Sequence, residues 1–113
     1  MLKKNTEEIN EKVKKIEKET TLNEDIIRII AKQDIKEYSR DILEARINES
    51  LGNFNISNLD EDAFCEKLIE SYKHTLPFGY CHIYWGIKKD ILKEKYNIEW
   101  YTPDEENPET IFD

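Results

Sequence analysis

From Leu22 to Leu51 the chain holds neither glycine nor proline, and its large apolar residues recur at helical spacing: Ile26, Ile27, Ile29, Ile30, then Ile35, Tyr38, Ile42, Leu43, Ile47 and Leu51. A run of this kind folds as amphipathic helix and not as strand, because the spacing repeats near 3.6 rather than 2. One long helix over roughly 22–50 is the direct reading. A break near Gln33-Asp34 is the alternative, since Asp34 with Glu37 three residues on forms a capping box. Gly52 is a natural helix stop.

The flanking segments read the same way. Asn5 with Glu8 opens a charged helix over 5–19, whose Ile9, Val13 and Ile16 make a narrow stripe. Residues 1–20 therefore suit a mobile arm or one strand of a short coiled coil, and the stripe could complete a homodimer or pack within one chain. Thr21 with Glu24 is a further capping box. Asn53 to Asn58 is a loop with Phe54 and Ile56 turned inward. Asn58 or Asp60 caps a helix over about 60–74, with Phe64, Leu68, Ile69 and Tyr72 on one face. Leu76-Pro77-Phe78-Gly79 ends it, and a helix follows from about Tyr80 to Tyr96, with Asn97 as a left-handed stop. Thr102-Pro103-Asp104-Glu105 starts one more turn, cut short by Asn107-Pro108. The expected fold is all-α: a compact bundle of four to five helices forming one domain over 1–113, with a short C-terminal helical turn and an acidic aromatic tail over 99–113.

Composition narrows the class. The chain has 113 residues, of which 38% are hydrophobic and 37% charged, with only three Gly and three Pro. That argues against collagen-like, low-complexity and β-sandwich structure, and the aromatic and Ile-rich content suffices for one modest core. No apolar run approaches the roughly 20 residues of a membrane span, and the charged N-terminus does not resemble a signal peptide. Two Cys fit a reducing cytoplasm.

Charge is distributed unevenly. The net charge is −8, yet residues 99–113 carry Glu99, Asp104, Glu105, Glu106, Glu109 and Asp113 with no Lys or Arg, a net of −6, leaving −2 for residues 1–98. Residues 58–72 sum to −4, and residues 86–96, with Lys88, Lys89, Lys93 and Lys95, sum to +2. Tyr38 is the only aromatic before residue 50. The aromatic mass, and with it a packing centre or a binding surface, lies in the second half.

Catalytic and metal chemistry find little purchase. Cys65, His74, Cys81 and His82 match no zinc spacing, so no metal or cofactor is expected. Cys81 and His82 are adjacent on a helix and point about 100° apart, so they do not readily form a thiolate–imidazole pair with each other. No phosphate loop, nucleophile elbow or HExxH is present, and an enzyme is not expected. Lys88, Lys89, Lys93 and Lys95 beside Tyr84 and Trp85 can contact phosphate, although the same lysines suit the solvated edge of a core stripe. In the tail, four large apolar residues (Trp100, Tyr101, Ile111 and Phe112) disfavour a purely solvated terminus. They leave two readings: a lid docked on the lysine face, or a ligand for a basic partner.

The segment running Trp85-Gly86-Ile87-Lys88-Lys89, Ile91 to Trp100, Thr102-Pro103 and Asn107-Pro108 to Phe112-Asp113 resembles the ending of small proteins encoded on mobile elements of Gram-positive bacteria. The likeness spans about thirty residues. It implies an accessory role, such as inhibition of host machinery, and brings no catalytic residues. Mimicry of nucleic acid would need carboxylates spread across a rigid face, which the balanced body does not offer. The function expected is therefore a non-enzymatic protein-interaction or regulatory role, with Trp100, Tyr101, Asp104, Glu105, Glu106 and Phe112 binding another protein. The alternative is a nucleic-acid-associated factor using Lys88, Lys89, Lys93 and Lys95.

Overall fold

A computed structural model describes residues 4–52 and 58–110. The described residues form α1 (Glu7–Glu19), α2 (Leu22–Glu37), α3 (Arg40–Leu51), α4 (Glu61–His74), α5 (Tyr80–Tyr96) and the single turn α6 (Pro103–Glu106), with no strand among them. The chain is all-α, as its apolar spacing requires. None of the described helices is long and apolar enough to cross a membrane. The expected inward loop with Phe54 and Ile56 lies outside the described residues.

Local chemistry fixes most helix ends. The α1 cap is Thr6, whose hydroxyl accepts from the Ile9 N–H at 3.1 Å. Asn5, expected in that role, is diverted to the C-terminal segment. Thr20 closes α1 with its backbone N–H on the Ile16 carbonyl, and its hydroxyl accepts from the Leu22 N–H that begins α2. Asp60 caps α4, accepting from the Ala63 N–H at 2.8 Å. α5 stops at Asn97, whose φ of 54° is left-handed. A complete capping box between Thr102 and Glu105, with Pro103 in the first turn, starts α6.

The 22–50 run is neither one helix nor broken at Asp34. It divides at Tyr38–Ser39, where Ser39 caps α3 by accepting from the Ile42 N–H. Asp34 is unavailable as a cap because its carboxylate is buried against Arg46 and Tyr72. α3 ends at Gly52, whose φ of 94° is open to glycine and strained for any other residue.

The helices belong to two compact units, a terminal one (Met1–Ile26 with Phe78–Asp113) and a central one (Ile27–Pro77). In the central unit α3 packs on α4, and Leu43, Ile47, Leu68 and Tyr72 are all but sealed from solvent. Arg40 lies over the Phe64 ring, 4.2 Å from its centroid, and donates to the Leu59 carbonyl. The terminal unit buries Val13 of α1, Leu22 and Ile26 of α2, Leu92 of α5, and Trp100 beyond it. The α1 stripe is thus packed through Val13.

Candidate functional site

The C-terminal segment is built onto the terminal unit from both chain ends. After Asn97 reverses the chain, Trp100 enters the unit with only 7% of its surface exposed. Lys88 of α5 covers the indole, with Nζ 4.8 Å from the ring centroid, and pairs with Glu17 of α1 at 2.6 Å. The ammonium thereby meets a carboxylate and an aromatic face at once, both partly desolvated, the setting in which each attraction is strongest. The next residue, Lys89, donates to Glu105 at 2.5 Å and lies 5.7 Å from the Tyr101 ring centroid.

Asn5 supplies the second clamp. Its side-chain amide donates to the Tyr101 carbonyl at 2.9 Å while its carbonyl oxygen accepts from the Tyr101 N–H at 2.7 Å. The same residue reaches Glu106 twice: the backbone N–H donates to one carboxylate oxygen at 3.1 Å and the side-chain amide to the other at 3.2 Å. An asparagine side chain has the donor and acceptor of a peptide group, so it can pair with backbone as a strand would. It ties α6 to the start of the chain.

Electrostatics follow this wiring. The Lys89 hydrogen bond holds the Glu105 carboxyl below the usual glutamate range, helped by the Thr102 N–H. Asp104, with 45% of its side chain exposed, accepts from the Thr102 hydroxyl and lies 3.8 Å from His82 Nδ1. Tyr84 of α5 donates to the Asn23 side chain, and burial followed by the nearby Glu17 pushes its phenol up to about 12.

The residues singled out in sequence therefore take different places. Trp100 is core, not surface. Tyr101, Asp104, Glu105 and Glu106 gather on one edge, half-buried, while Phe112 lies outside the described residues. The expected opposition of tail acids to α5 lysines is realised by Lys89 and Glu105. Lys88 is taken by Glu17 instead, and Lys93 and Lys95 remain exposed. In sequence Asn5 reads only as a helix cap and Glu17 carries no signal of its own, for nothing local ties either to its partners far along the chain.

Cys65 lies on α4 and is partly buried. Burial, then the neighbouring Glu66, pushes the Cys65 thiol up, away from the thiolate a nucleophile needs. Among the described residues, no three His, Cys, Asp or Glu side chains are grouped to hold a metal ion. Compared with known protein families, characterised proteins and solved structures, the chain finds no match.

Proposed function

We propose that this chain is a non-enzymatic interaction protein that presents Tyr101, Asp104 and Glu106 to a basic surface of a partner protein. The observation that carries this reading is the double clamp on α6. Trp100 anchors the segment from below, and Asn5 and Lys89 hold Tyr101, Glu106 and Glu105 in one geometry. A charged edge held on a rigid scaffold binds without paying the ordering entropy of a loose tail. Trp100 acts here as the anchor that positions the edge. Glu105 is matched internally by Lys89, so Asp104 and Glu106 supply the outward negative charge of the turn. We further propose, on the resemblance read in the last thirty residues, that this partner is a component of host machinery.

The test uses a labelled Lys/Arg-rich peptide and fluorescence anisotropy. Native protein binds it, and Asp104→Lys weakens binding about tenfold, as for a loss near 1.4 kcal/mol. Glu109→Lys makes the same charge change outside the clamped turn and serves as the control. If Glu109→Lys weakens binding as much as Asp104→Lys, only bulk charge is at work and the reading fails. If native protein does not bind the peptide, it fails outright.

A further inference from the structure

We infer that the terminal unit carries a binding track for single-stranded nucleic acid between α1 and the end of α5, which reaches the α6 edge at Lys89 and Tyr101. A groove of about 460 Å³ is lined by Lys12, Lys15 and Ile16 of α1 and by Tyr96, Asn97 and Ile98. A smaller one of about 160 Å³ adjoins it through the shared Ile98 and is lined by Lys89, Lys93, Glu99 and the Trp100–Tyr101 strand of chain. Together the two linings hold four lysines and one glutamate, in a chain whose net charge is −8. The local sign is opposite to that of the molecule.

The pairing of those lysines sharpens the case. Lys89 is bound by Glu105, and Lys12 pairs with Glu8 at 3.1 Å in an exposed contact of little strength. Lys15 and Lys93 are exposed and have no ion-pair partner among the described residues, so each can meet a phosphate without first breaking a contact. Lys15 shares the larger groove with Tyr96, a half-buried ring with Lys95 Nζ 5.7 Å from its centroid, and with the exposed Asn97, while Lys93 lines the smaller one. Cations from two elements together with an aromatic ring are what an extended nucleotide chain requires: phosphates meet ammonium groups and a base stacks on the ring. A duplex offers no free base face to Tyr96, which is why the single strand is favoured.

The experiment measures anisotropy of the full chain with labelled oligothymidylate and oligouridylate of about 16 nucleotides, beside the matching duplex. Both single strands, or one of them, should bind at about 50 mM salt and weaken roughly twentyfold by about 200 mM, as when three phosphates are neutralised. Lys15→Glu with Lys93→Glu should abolish binding, and both positions are exposed enough to leave the fold intact by circular dichroism. Tyr96→Leu should weaken binding about tenfold, with Tyr96→Phe restoring it, because the ring face and not the hydroxyl is used. The inference is overturned if neither strand binds at the lower salt, if the double lysine variant binds like the native chain, or if duplex binds as well as single strand and Tyr96→Leu changes nothing.

Discussion

At the scale of single residues, Asp34 shows how a charged side chain can be moved from the surface into the middle of a unit. It is 6% exposed, and its carboxylate accepts from Arg46 at 3.1 Å and from the Tyr72 hydroxyl at 2.5 Å. Arg46 also donates to Tyr72 at 2.8 Å and rests 4.7 Å from the centroid of the Tyr38 ring. Burial, then the bond to Asp34, raises the Tyr72 phenol well above its ordinary value, so it stays a proton donor throughout the physiological range. Removing one member of such a set strands the others. Asp34→Ala should cost about 3 kcal/mol, the lower part of the range for a broken buried pair, because Arg46 keeps 25% of its side chain in water. Asp34→Leu combined with Arg46→Met should recover most of that loss, since the expensive state is the unmatched charge. Urea denaturation of the single and double variants measures both, and equal instability of the two would refute the coupling.

Helices were legible in this sequence wherever their boundaries depend on nearest neighbours. Tyr80–Tyr96, its Asn97 stop, the Gly52 stop and the Thr102–Glu105 box all follow from residues within one turn, and each appears where local chemistry puts it. The α2–α3 junction does not follow, because two capping signals compete there and the choice is made elsewhere. Arg46 and Tyr72 capture Asp34, so the helix runs on to Glu37 and Ser39 becomes the cap. Asn5 yields α1 to Thr6 for the same kind of reason. The candidate edge was partly legible: the acidic turn and its rings could be read locally, whereas the Asn5 and Glu17 contacts arise only from folding. Ser39→Ala should therefore cost about 1 kcal/mol, the usual worth of a helix N-cap, and Ser39→Asp should restore it. Hydrogen exchange at the first amides of α3 reports the change directly, and unchanged protection there would show that the cap contributes nothing.

For the molecule as a whole, the two ends of the chain meet in one unit, and this sets two forces against each other in the last fifteen residues. On charge alone, deleting residues 99–113 removes −6 of a net −8 and should relieve self-repulsion, stabilising the fold. On packing, the same deletion removes Trp100, strips Asn5 of Tyr101 and Glu106, and leaves Lys89 without Glu105. Exposed charges beyond about 10 Å are screened at ordinary salt, whereas losing a buried tryptophan costs about 3–5 kcal/mol. Packing wins, so the truncated chain should melt lower than the native one, and Trp100→Ala alone should reproduce most of the drop. Acid offers a gentler version of the cut. Because Lys89 lowers the folded-state pKa of Glu105, that contact stabilises above the ordinary glutamate value of about 4.3 and is lost as pH falls through the depressed one. Glu105→Gln should be less stable than native protein at neutral pH and converge with it once the carboxyl is protonated. Thermal melts of the two proteins from neutrality down to about pH 3 decide the matter. Curves that stay parallel across that range would mean the Lys89–Glu105 contact adds no stability to the clamp.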